Sequence, residues 1–278
     1  MPKDPSRWRR AWGASLAYLS MLCVPILSWA AEKPHSVLDS AEFLHPVPVR
    51  GQAFSQVFSR SISTRVEGYD WIARRISGTG SYHLSSVIKD QFIFESKFLY
   101  DGNPLASGVT KIRSDGAESC WQDKCGPATD ASGLFFNSLL WGTPPKAIGV
   151  GTSWHTTISV PWELGPAGEE EVTVTALDAS SGSVTLLRRG SGEGPFDNDA
   201  AQIKLTKDGK EYLMDSKAGK ASWSGYTTIA RGIIISDELL VERTLLLSSK
   251  ELGEKTGFQR QYILLSKAPQ SASWEGVL

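Results

Sequence analysis

SWHTTISVPWELGPAGEEEVTVTALDASSGSVTLLRR, residues 153–189, holds three runs in which apolar and polar residues alternate, separated by turns rich in glycine, proline and serine. Side chains on a strand point to opposite faces with a period of two. In the first run Trp154, Thr156, Ile158, Val160 and Trp162 therefore share one face, and His155, Thr157, Ser159 and Pro161 share the other. The second run sets Val172, Val174 and Ala176 against Thr173 and Thr175. The third sets Val184, Leu186 and the stem of Arg188 against Thr185 and Leu187. Residues 164–168 (LGPAG) and 178–182 (DASSG) supply the turns, since glycine, proline, aspartate and serine each favour a turn conformation. The stretch predicts an antiparallel meander with one apolar face.

The same signals recur on either side. Upstream, Phe54 to Ile62 and Tyr69 to Ile76 read as strands, and Asp101-Gly102 and Ser114-Asp115-Gly116 as hairpin turns. Downstream, Asp208-Gly209 joins two short strands; Ala221, Trp223, Gly225, Thr227 and Ile229 then share a face, and Arg231-Gly232 turns the chain again. Residues 236–247 fit a helix through Leu239, Leu240, Arg243, Leu246 and Leu247, or a strand through Leu239, Val241, Arg243, Leu245 and Leu247. The strand is preferred because residues 258–265 supply a hairpin partner. Residues 130–142 predict the one helix, capped by Asp130 or Ser132 and stopped by Gly142 and Pro144-Pro145. Residues 188–195, with three alternating glycines, read as a mobile connection, since the lysine and helix of a phosphate loop are absent. The expected fold class is all-β, a curved antiparallel sheet or open β-barrel of successive hairpins with one short covering helix.

Domain organisation follows from the ends. Lys3, Arg7, Arg9 and Arg10 precede an apolar stretch from Ala11 to Leu27 and a small-x-small site at Ser28-Trp29-Ala30, the succession of a secretory signal peptide. Residues 1–30 are read as that signal, 31–50 as an extended leader, 51–267 as a single β-rich domain and 268–278 as a flexible tail. Removing the signal leaves 25 of the 29 basic and 29 of the 30 acidic residues, a net charge of −4. This balance offers no attraction to nucleic acid, and no integral membrane span is expected after cleavage. The expected location is periplasmic or secreted. Cys120 and Cys125 are the cysteines left in a chain bound for an oxidising compartment, so they are expected to form a disulfide. No metal site is expected, because His35, His45, His83 and His155 show no paired spacing, and no cofactor motif occurs.

The leading functional reading is a non-catalytic exported protein that binds an apolar small molecule, a lipid or another envelope component. Trp154, Trp162, Trp223 and Trp141 are the candidate ligand-lining residues, because large aromatics on strand faces line pockets as well as fill cores. One alternative is a hydrolase with a site assembled around His155, the 190–195 stretch and the 130–142 segment, with a carboxylate from Asp130, Asp197 or Asp237. Another is a structural or adhesive module that uses a sheet edge. Glu169-Glu170-Glu171 reads as a solvated charge run. The N-terminal reading is checked by sequencing the exported protein, which should begin at Ala31 or Glu32; a start at Met1 would contradict it.

Overall fold

The computed structural model describes residues 37–130, 133–195, 202–216 and 219–267; the segment read as a signal peptide and the 268–278 tail lie outside them. A two-residue strand, β1 (Leu38–Asp39), leads into one helical turn, α1 (Ser40–Leu44), where the Asp39 carboxylate accepts the Ala41 N–H at 3.0 Å. Next come β2 (Ala53–Val66), β3 (Ile72–Ile88), β4 (Gln91–Tyr100), β5 (Asn103–Arg113), β6 (Glu118–Trp121) and β7 (Lys124–Pro127). A connection carrying α2 (Ser138–Trp141) and β8 (Ala147–Ile148) reaches the second half of the chain. That half comprises β9 (Ser153–Ile158), β10 (Gly168–Asp178), β11 (Ser183–Gly194), β12 (Gln202–Lys207), β13 (Lys210–Ser216), β14 (Gly219–Ala230), β15 (Ile233–Ser249) and β16 (Gly253–Lys267). Strand makes up 69% of the structure and helix 4%, so the fold is all-β, as the alternation predicts.

Fourteen strands form one antiparallel sheet that is not closed, in the order β7-β6-β5-β4-β3-β2-β16-β15-β14-β11-β10-β9, with the β12–β13 hairpin attached to β15. Two meanders make it. The first walks outward from β2 to β7; the second starts at the opposite edge with β9 and walks back until β16 pairs with β2. Asp101-Gly102, Asp208-Gly209 and Arg231-Gly232 close their hairpins with both residues at positive φ (46° and 78°, 51° and 74°, 50° and 76°). That is the geometry whose twist matches paired strands. The ambiguous 236–247 run lies within β15, paired on both edges, with Leu239, Val241, Leu245 and Leu247 fully buried.

Between β7 and β9 the chain crosses the buried face of the sheet from one edge to the other. Leu134, Phe135, Phe136, Leu140, Trp141 and Ile148 are all buried there. Phe135 forms an isolated bridge to Ile233, and its ring packs against Phe54 and Phe92 with centroids 6.4 and 5.3 Å away. The helix expected over 130–142 is thus a single turn, α2, within a mostly extended segment. Its cap is Asn137, whose side chain accepts from the Leu139 and Leu140 N–H groups at 3.0 and 3.4 Å. Three consecutive buried residues at 134–136 explain the difference, because a helix buries only a stripe. An extended chain lets Ile234 donate to the Leu134 carbonyl at 3.0 Å and Phe136 donate to the Gly232 carbonyl at 3.1 Å.

Three further expectations are corrected. Residues 40–44 of the leader are helical and bury Phe43 and Leu44. Residues 188–194 belong to β11; 188–192 pair with both β10 and β14, and 193–194 with β14, while a Cβ at Gly190 or Gly192 would stand 2.4 Å from the Trp223 ring or 2.2 Å from the Ala167 carbonyl. In β10 a register shift between Val174 and Ala176 turns Ala176 outward.

Trp154 is buried on the inner face of β9, and its Nε1 donates to the Trp141 carbonyl at 2.8 Å. His155 is exposed on the other face. Trp154→Ala should cost about 3–5 kcal/mol, and His155→Ala less than about 0.5 kcal/mol, in urea unfolding. Equal losses would contradict the assignment of faces.

Candidate functional site

The four candidate tryptophans gather in one hydrophobic core, with exposures of 2% for Trp141, 8% for Trp154, 0% for Trp162 and 3% for Trp223. Trp162 lies beyond the end of β9, in a turn where it bridges to Gly165, and its ring meets that of Trp223 edge-on at 5.3 Å. Around these rings sits an ion pair that the sequence reading took for solvated charge. Glu170 and Arg188 are both 1% exposed, and the guanidinium donates through Nε and NH2 to the two carboxylate oxygens at 3.0 and 3.1 Å. Trp223 Nε1 donates to Glu170 Oε2 at 2.5 Å, and the Arg188 guanidinium lies 4.7 Å from the centre of the Trp141 ring. Gly190 admits the indole: a Cβ there would stand 2.4 Å from the Trp223 ring. The signal was present in the sequence. Glu170 is in phase with Val172 and Val174, and Arg188 with Val184 and Leu186, on neighbouring strands.

A third buried ionisable side chain belongs to this polar cluster. Asp237 is 1% exposed and accepts from the Thr227 hydroxyl at 2.5 Å through Oδ1, while Oδ2 has no hydrogen-bond partner. Burial raises its carboxyl above the ordinary value of 3.8, and Glu170 adds to the rise, while Arg188 and the Thr227 hydroxyl oppose it.

The elements proposed for hydrolysis do not converge. His155 stands exposed opposite Glu171, residues 190–194 are strand, and Asp237 is sealed in the core. Asp197 lies outside the described residues. Cys120 and Cys125 face one another in the β6–β7 hairpin and are joined by a disulfide. Glu118 lies close to both sulfurs, but a disulfide withholds the thiolates that would bind metal.

Open space occurs elsewhere on the inner face. A cavity of about 310 Å³ lies between β3–β6 and residues 128–130 and 133–137. Tyr82, Phe98, Trp121, Phe135, Ile112 and Leu134 form its apolar lining, and Thr110, Ser119, Asp130 and Asn137 its polar part. The aromatic walls meet at steep angles: Tyr82 to Phe98 at 82° and 5.7 Å, Phe98 to Trp121 at 62° and 5.3 Å. Trp121 sits against Gly108, where a Cβ would stand 3.1 Å from its ring. Burial pushes the Tyr82 hydroxyl's ionisation well upward, and the charge of Asp130 pushes it further. None of the four candidate tryptophans lines this cavity. Trp121, which is not among them, does.

No protein-family model and no curated protein matches the chain. Among solved structures, the chain is similar to a structure titled for lipid–protein interactions in lipovitellin, at 10% identity and a TM-score of 0.35, covering 81% of this chain. It spans 26% of the lipovitellin chain. It is also similar to Neisserial surface protein A, at 6% identity and a TM-score of 0.23, covering 78% of this chain and 97% of that one. At these scores neither likeness bears on what the chain binds.

Asp237 yields a pH dependence whose sign can be worked out. The folded state keeps a proton that the unfolded chain releases as the pH passes 3.8, so this group's contribution is complete below that pH and lost as the pH rises through the folded value. Asp237→Asn cannot ionise. Its melting temperature relative to the wild type should rise as the pH is raised above the unfolded value of 3.8, followed by circular dichroism; a difference that stays constant with pH would contradict it.

Proposed function

We propose that this chain is an exported, non-catalytic binding protein that holds an apolar ligand of small-molecule size in the cavity between β3–β6 and residues 128–130 and 133–137. The observation that carries this reading is the cavity itself. Its volume of about 310 Å³ falls at the lower end of the range for small-molecule sites, and such sites combine apolar and aromatic walls with few polar groups. The walls meet both conditions. The Tyr82, Phe98 and Trp121 rings line the space, and the Trp121 indole lies against Gly108. Export rests on the charged, apolar and small-residue succession at the N-terminus. The tryptophan cluster around Glu170 belongs to the packed core and takes no part in binding.

A fluorescent apolar probe such as N-phenylnaphthylamine tests the reading directly. It should bind the mature protein with quenching or enhancement of Trp121 emission. Gly108→Val brings methyl groups against the indole and drives it into the cavity, so probe affinity should fall by about tenfold or more, a difference of about 1.4 kcal/mol. Absence of probe binding to the wild type, or unchanged affinity in a folded Gly108→Val, would overturn the assignment of the site.

A further inference from the structure

The two halves of the Cys120–Cys125 disulfide meet different surroundings. Cys120 is 2% exposed and lines the cavity, whereas Cys125, directly opposite it on β7, is exposed. The hairpin that carries them is lightly anchored. Among the described residues β7 ends the sheet and pairs with β6 alone. β6 in turn meets β5 at three positions, Thr110–Trp121, Lys111–Cys120 and Ile112–Ser119. The Gln122 N–H also donates to the Val109 carbonyl at 2.7 Å, and the Ala128 N–H to the Ala117 carbonyl at 3.0 Å. An edge element with so few backbone bonds opens locally at low cost, and a cross-link limits that opening by constraining the open state. Trp121, the residue after Cys120, forms one wall of the cavity, its ring 5.3 Å from that of Phe98. The disulfide therefore bears on the cavity through the strand that carries this wall.

We infer that Cys125 is a thiol-exchange site, where an external dithiol cleaves the disulfide, loosens the Trp121 wall and weakens ligand binding. The inference rests on the binding reading above and adds a regulator of the same cavity. A thiolate of the dithiol attacks the Sγ of exposed Cys125. A mixed disulfide forms as the Cys125–Cys120 bond breaks, and the electron pair of that bond leaves on Cys120 Sγ. Cys120 takes a proton from the solvent, since the Glu118 carboxylate within 4.8 Å of it opposes a second negative charge there. The second thiolate of the dithiol then attacks the mixed disulfide at the dithiol's own sulfur and frees Cys125 as a thiol. The dithiol is oxidised to its disulfide by two electrons, and the protein gains two thiols. In the reduced protein the hairpin opens more often, and affinity falls with the closed fraction. Linkage runs both ways: a ligand that needs the closed wall shifts the thiol–disulfide equilibrium toward the disulfide by the same factor.

The test treats the mature protein with dithiothreitol in native buffer and follows thiol content, amide hydrogen exchange and N-phenylnaphthylamine affinity together. Both thiols should appear while circular dichroism keeps its sheet signal. Exchange of the amides in 118–127 should quicken at least about tenfold, with the other strands unchanged, and probe affinity should fall about threefold or more. Reoxidation should restore both. Cys120→Ser combined with Cys125→Ser should match the reduced protein and ignore the dithiol, but the wild-type cycle decides the question even if that variant does not fold. A disulfide that resists the dithiol until denaturant is added, reduction that unfolds the whole sheet, or exchange at 118–127 that stays unchanged on reduction overturns the inference. So does equal affinity in a protein that binds the probe in both states. Where the oxidised protein binds no probe, the binding reading falls, and the thiol site is judged on the exchange at 118–127 alone.

Discussion

An open sheet of this breadth has one apolar face, and the other sheet among the described residues is only the two-stranded β1–β8 pair, too small to bury it. Sheets are stable only when that face is covered, and the usual partners are another sheet or a layer of helices. Here the cover is the chain's own crossing segment between β7 and β9, helped by α1 and the β12–β13 hairpin. The order of the strands requires that crossing. The first meander ends at one edge and the second begins at the other, so the connection between them must traverse the inner face. Leu134, Phe135, Phe136, Leu140, Trp141 and Ile148, all buried, are the result.

An extended segment lying on a sheet brings backbone groups into the core, where each needs a partner. The polar residues of the inner face supply several. Trp154 Nε1 donates to the Trp141 carbonyl at 2.8 Å, Gln56 Nε2 reaches the Gly133 carbonyl at 3.4 Å, and Arg243 NH1 reaches the Leu164 carbonyl at 3.4 Å. Arg60 of β2 pairs with Glu163 in the turn before β10. Burial, then the nearby Arg60, holds the Arg243 guanidinium down to about 10. Buried pairs of this kind add little net stability once desolvation is counted, but removing one partner is severely destabilising. In this fold they fix where the covering segment lies, a task that non-directional apolar contact cannot perform alone.

This division explains what could be read from sequence. Period-two alternation and Asp-Gly turns are local, so the strands, the type I′ hairpins and the inward Trp154 were legible, as was the strand state of 236–247 once its partner was recognised. Contacts between distant segments were not legible. The 130–142 stretch has a helical stripe, yet its consecutive residues 134–136 are buried from both sides, a fact that depends on Phe54, Phe92 and Ile233. Glu170 was hidden by the charged residues on either side of it. Only its phase with Val172 and the opposite charge of Arg188, one strand away, distinguish it from them. The glycines of 188–194 look like flexibility in sequence and are instead the space into which Trp223 and residue 167 fit.

The same architecture accounts for the position of the cavity. Over β9–β16 the covering layer is doubled: the crossing segment, α1 and the turn at 162–165 are all packed into the large core cluster with the tryptophans and the Glu170–Arg188 pair. Over β3–β6 the cover is thinner. The chain has just left β7, Leu134 and Phe135 are its buried cover there, and the second core cluster is small and dominated by rings. This end of the inner face holds the cavity lined by Tyr82, Phe98 and Trp121. The fold therefore places its large tryptophan-centred core toward one end of the sheet and its aromatic-lined cavity toward the other. A single crossing segment serves both, as core over the second meander and as roof over the first.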